Sequence, residues 1–176
     1  QWTTLTLPFN LTQDEVQSIF GAGTRLVMLK EGTIKNEGAR LTFIYHEIQN
    51  VLPGYPYLIK PTKEVNSFTA NNKCINPHIT QYNVDCGDYW HKGTPDYSKA
   101  EYSKGDAAGY SIIYPKNDIF VSETNGNLYV SSGESYGKGY RSWIAKKTVE
   151  EGGTSQTAKS ISVVMSSFSD DDDTTT

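Results

Sequence analysis

Apolar and polar side chains alternate from Trp2 to Leu7, with Leu5 and Leu7 on one face and Thr4 and Thr6 on the other, until Pro8 stops the run. That is the pattern of a half-buried strand. The period then changes to that of a helix over residues 12–20. Thr12 stands three positions before Glu15, so hydroxyl and carboxylate can each accept from the other residue's amide in a capping box. Leu11 and Val16 are placed to close a hydrophobic staple, and Val16, Ile19 and Phe20 share one face. Gly21 can end the helix in a left-handed conformation. About two turns long, such a helix needs a sheet to pack on.

From Arg25 the period returns to two. Arg25–Lys30 and Arg40–Ile48 read as strands, the second with Leu41, Phe43 and Tyr45 on one face and Thr42, Ile44 and His46 on the other. Polar Glu31–Gly38 reads as their hairpin connection. Pro53-Gly54 marks a turn, Tyr57–Ile59 a strand closed by Pro61, and 78–84 a weaker strand. Residues 85–106 show no period that would bury one face and are expected to form the longest loop, the kind that carries function. Strands resume at Ala108–Tyr114. Asp118–Ser122 and Asn127–Ser131 flank Asn125-Gly126, a dipeptide that supplies positive backbone angles to a tight hairpin. Gly139–Lys147 and Ser160–Phe168 complete the set. The expectation is an all-β chain: a β-sandwich of roughly nine or ten mainly antiparallel strands with one short N-terminal helix.

Composition supports this. Twelve tyrosines, three tryptophans, 18 threonines and 16 serines against two methionines favour strands and turns. At 176 residues and 36% apolar the chain is long enough to bury a core. The net charge of −4 comes from Asp170–Asp173, because residues 1–169 carry 16 acids and 16 bases. A neutral body lacks the basic stripe a nucleic-acid partner demands. No apolar run has the length of a membrane span. One domain, 1–169, followed by a solvated acidic tail or linker stub, 170–176, is expected.

Candidate chemistry is sparse. Cys74, His78, Cys86 and His91 are the residue types of a tetrahedral zinc site, but their spacing does not match one. A disulfide between Cys74 and Cys86, or two plain thiols, is the simpler reading. Asp85, Asp88 and Asp96 lack the closing glutamate and spacing of a calcium loop. Neither cysteine has a motif pairing it with His46 or His91 as a nucleophile, and Glu37 or Glu47 could form a carboxylate pair only as any acidic residue could. No nucleophile elbow, zinc-protease motif or phosphate loop is present. Catalytic, cofactor-binding and metal residues are therefore assigned to none. Tyr89, Trp90 and Tyr97, with Tyr102 and Tyr110 nearby, could stack on sugar rings if exposed; burial would make them core.

Several segments carry a resemblance in their order: Trp2–Phe9, Pro53–Pro61, Asp118–Ser122 with Asn125–Tyr129, and Gly139-Tyr140-Arg141-Ser142-Trp143. Over nearly its whole length the chain resembles the C-terminal β-sandwich domain of exported, often leucine-rich-repeat, adhesin-like surface proteins of the Bacteroides group. The resemblance implies an extracytoplasmic location, an all-β fold and no catalytic residue. It points to a non-enzymatic interaction or spacer module whose partner is a host or cell-surface protein or a glycan, with a carbohydrate-binding module as the alternative and a hydrolase as a distant one. Segment 85–106 and both cysteines match none of its motifs.

Overall fold

The computed structural model describes residues 1–37, 40–75, 82–94, 102–104, 107–110, 112–148 and 160–166. Among them are one helix and fourteen strands, most of them short. A five-stranded sheet, sheet A, has the order β1 (Thr3–Leu5), β4 (Tyr57–Lys60), β2 (Arg25–Glu37), β3 (Arg40–Ile48) and β14 (Ser160–Ser166). A second, sheet C, has the order β11 (Leu128–Val130), β10 (Ile119–Val121), β13 (Ser142–Lys146), β6 (Tyr89–Gly93) and β5 (Val84–Asp85). Two smaller pairs join β9 (Ile112–Tyr114) to β12 (Ser135–Gly137) and β7 (Tyr102–Lys104) to β8 (Ala107–Tyr110). Among the described residues these strand pairings are antiparallel except that of β14 with β3, which is parallel. No helix among the described residues is long and apolar enough to cross a membrane.

The two large sheets face each other. Val27, Leu29, Leu41, Phe43, Tyr45 and Leu58 of sheet A pack on Cys86, Tyr89, Ile119 and Ile144 from sheet C and its approach. The alternation of β3 thus falls as its sequence predicts. Sheet A is apolar on its other face as well, where Leu5, Leu26, Tyr57 and Ile59 meet Val16 and Phe20 of α1 (Gln13–Phe20). The capping box forms, with Thr12 Oγ1 accepting from the Glu15 amide at 3.3 Å and Glu15 accepting from the Thr12 amide at 2.8 Å. On the far face of sheet C, Trp143 and Ala145 pack with Tyr114 of β9. The order of layers is α1, sheet A, sheet C and the β9–β12 pair.

Four expectations change. First, β1 is buried on both faces: Thr4 and Thr6 are as enclosed as Leu5 and Leu7, because Thr6 meets Gly93 across the inter-sheet space. Second, the polar stretch after Lys30 does not turn at once. β2 continues to Glu37, with a register shift between Leu29 and Ile34 that lets the long strand keep pairing with β3. Third, in the 122–127 connection only Gly126 takes a positive φ, 72°; Asn125 instead accepts from the Asn127 amide and donates to the Tyr129 hydroxyl.

The fourth concerns 85–106, which is not one long loop. Within it lie the end of β5, all of β6 and β7. β6 sits between β13 and β5, with Tyr89, His91 and Gly93 buried and Trp90 and Lys92 partly exposed. A period of two is present, but histidine and glycine on the buried face hide it. Residues 76–81, 95–101 and 167–176 fall outside the described residues, and with them His78, Asp96, Tyr97 and the expected acidic tail 170–176.

Candidate functional site

The residues singled out from sequence do not converge. Tyr89 is a core side chain, and Trp90, its neighbour on the strand, points to the opposite face, where Lys147 Nζ lies 4.1 Å from the ring centroid. Tyr89 and Trp90 therefore do not form one exposed platform, because consecutive strand residues face opposite ways; Tyr97 lies outside the described residues. No disulfide joins Cys74 to Cys86; Cys74 is exposed, whereas Cys86 is enclosed between the sheets with its thiol 3.5 Å from the Val84 carbonyl. Among the described residues no group of three or more His, Cys, Asp or Glu side chains is placed to hold a metal. Asp85 pairs with Lys147 at 2.8 Å, which holds its carboxyl below the usual range, and Glu47 pairs with Arg25. Cys86 and His91 are both shut off from solvent, and His46 lies on the opposite face of β3.

His91 has an assignable protonation state. Ser142 Oγ donates to the Tyr57 carbonyl at 3.0 Å, so its lone pair faces His91 Nε2 at 3.2 Å. Nε2 therefore carries the proton, and Nδ1 is left as a buried acceptor without a partner. Burial lowers the His91 pKa to about 3, so the ring is neutral. Asp118 is the corresponding buried acid, pushed up to about 6 by burial despite accepting from the Lys146 amide at 3.0 Å and Trp143 Nε1 at 3.2 Å. Both groups sit within the strand framework, almost closed to solvent.

A surface groove lies elsewhere. A groove of about 700 Å³ runs between the end of α1 with the 65–75 segment on one side and residues 138–141 on the other. Its floor is Leu5, Leu7 and Phe20. One wall is held by Phe68, whose ring packs edge-on against Phe9 at 6.3 Å and Phe20 at 5.6 Å. The other is the turn carrying Tyr140 and Arg141. Lys73, Lys138 and Arg141 are its charged lining residues, with no carboxylate among them.

The Tyr140 wall is fixed at some cost. Tyr140 has φ 60°, a left-handed conformation rare for a bulky side chain. Hydrogen bonds on both sides enforce it: its amide donates to the Thr94 carbonyl at 2.6 Å and its carbonyl accepts from Thr6 at 2.9 Å. Arg141 then reaches across to the outward Thr4 carbonyl at 3.1 Å and to Glu123 at 3.1 Å. A side chain thereby occupies part of the backbone edge that β1 leaves open. Strained, over-determined backbone concentrates at binding sites, and here it sets one ring and one guanidinium at the groove mouth.

None of these residues was distinguished by composition or spacing. A signal was nonetheless present, since the Leu5–Phe9 and Gly139–Arg141 stretches, two of the segments that carry the sequence resemblance, line the same groove. Compared with family models, curated proteins and solved structures, the chain finds no match in any of the three.

Proposed function

We propose that this chain is a non-enzymatic interaction module of an exported, adhesin-like bacterial surface protein, and that its partner docks in the groove between Phe68 and Tyr140. The observation that carries the reading is the strained Tyr140, held by hydrogen bonds from two other strands' neighbourhoods so that its ring and Arg141 border an open apolar floor. A glycan partner is the second reading. It draws on the Phe9, Phe68 and Tyr140 rings with the amide of Asn66 and the hydroxyls of Ser67 and Thr69 beside them, a combination that suits sugar faces and sugar hydroxyls.

The variant Tyr140→Gly tests both. Glycine takes φ 60° without strain, so the substitution deletes the ring while keeping the turn. Probed against a phage-displayed random peptide library and a glycan array, the wild-type chain is expected to bind saturably, and Tyr140→Gly to bind the same ligands at least about tenfold more weakly, as for loss of an aromatic anchor. Peptide hits assign a protein partner and glycan hits the second reading. If neither panel yields a ligand that Tyr140→Gly loses, the groove is not a docking site and the module is a spacer.

A further inference from the structure

We infer that Tyr55 and Tyr82 form an oxidative cross-linking site, at which a haem peroxidase with hydrogen peroxide joins the two rings into dityrosine. The inference stands on the pair's own geometry and does not depend on the docking reading of the groove. The rings are stacked nearly parallel, with centroids 4.1 Å apart and planes 16° from one another. That is closer than the separation of about 4.5–7 Å that aromatic pairs prefer. The Tyr55 hydroxyl donates to that of Tyr82; burial and this hydrogen bond raise the Tyr55 pKa above the ordinary tyrosine value. Stacked with their hydroxyls at the same end, the rings set the ortho carbons of one over those of the other. The stacks of Tyr114 with Phe120 and of Phe120 with Tyr129 each contain a ring that has no phenol to oxidise.

The pair is held by backbone as well as by its rings. The Tyr82 amide donates to the Gly54 carbonyl at 3.3 Å, and the Gly54 amide donates to the Leu7 carbonyl at 2.7 Å. The turn that carries Tyr55 is thus anchored next to β1, and Tyr82 is anchored to that turn. Tyr82 is 50% exposed, which gives an oxidant access to it. Oxidation removes one electron and the phenolic proton from each ring. The two phenoxyl radicals form one bond between ortho carbons, and the hydrogen on each of those carbons then moves to its oxygen, restoring both phenols. Two electrons and two protons pass to one hydrogen peroxide, which becomes two waters. The bond closes a covalent loop around Val65, Phe68, Ala70 and Lys73, which build one wall of the groove. Residues 61–75 carry neither helix nor strand, so the cross-link fixes a wall that no strand ladder holds.

Peroxidase and hydrogen peroxide, applied to the 176-residue chain with its exposed thiol Cys74 alkylated beforehand, test this on three proteins: wild type, Tyr82→Phe and a control, Tyr129→Phe. Tyr82 and Tyr129 are both exposed and each variant keeps the ring, so folding is not at stake. Wild type is expected to acquire dityrosine fluorescence in the monomer band of a denaturing gel. Tryptic mapping should recover peptides carrying Tyr55 and Tyr82 joined, two hydrogens lighter than their sum. Tyr82→Phe should lose that joined pair and Tyr129→Phe should keep it. Unfolding wild type in urea before oxidation should cut the yield of the pair at least about tenfold, because the prior alignment of the rings is gone. The inference is overturned by dityrosine that maps to other residues or forms only between molecules. It is equally overturned by a Tyr55–Tyr82 yield that is the same from folded and unfolded chain.

Discussion

Where β1 crosses β6, two small side chains decide how closely the sheets approach. A Cβ on Gly93 would stand 2.9 Å from the Thr6 Cβ and nearer still to its hydroxyl. Thr6 is fully buried just past the end of β1, with its amide held by the Tyr140 carbonyl, and cannot swing away. Gly93→Ala should therefore destabilise the domain by about 1–3 kcal/mol, the range for overpacking a core, read as a lower urea midpoint. The Thr6 hydroxyl is itself buried without a hydrogen-bond partner. Thr6→Val, which removes that unsatisfied group and keeps the branched shape, should stabilise the domain by about 1–3 kcal/mol, read as a higher midpoint. A fall in the midpoint would show that the hydroxyl is satisfied in solution.

At the scale of elements, the pattern of the sequence was a good guide where one face is apolar and the other polar. The helix, its capping box and the inward face of β3 were all legible, because each rests on local spacing. Thr12→Ala should cost about 1 kcal/mol through loss of the cap and weaken the packing of Val16 and Phe20 on sheet A; thermal unfolding checks it. β6 was illegible for a different reason. Its buried positions are Tyr89, His91 and Gly93, and two of those three are not residues that announce a core. Burial there is secured by partners far along the chain, Ser142 for His91 and Thr6 for Gly93. β14 reads correctly as a strand, but its parallel pairing with β3, more than a hundred residues earlier, has no local signature.

For the whole molecule, two buried groups give opposing dependences of stability on pH. His91 has a folded pKa of about 3 against an ordinary value of about 6.5. Its contribution is complete above about 6.5 and is lost as pH falls towards 3. Asp118 has a folded pKa of about 6 against 3.8. Its contribution is complete below 3.8 and is lost as pH rises through 6. Between about pH 4 and 6 the two slopes offset each other, and below about 4 the His91 contribution is no longer opposed, while Asp85, held low by Lys147, adds to the loss as it protonates. Asp118→Asn should remove the plateau, so that the urea midpoint falls steadily from about pH 6.5 downward. An unchanged plateau in that variant would show that another group supplies the opposing slope.

At this largest scale the division between sequence and tertiary structure is clear. Strand and helix periods, turn residues and overall neutrality of the body follow from the order of residues alone, since each depends on neighbours a few positions apart. From these an all-β sandwich with one short helix was already determined. The candidate site was not. Leu5, Phe68, Tyr140 and Arg141 share a groove only because β1, the 65–75 segment and the 138–141 turn are brought together by the stacking of two sheets. The same stacking put Tyr89 in the core and the groove on the edge of sheet A. Which side chains face solvent together is a property of how faces pair, and pairing between distant strands is settled by core packing and backbone hydrogen bonding across the whole fold.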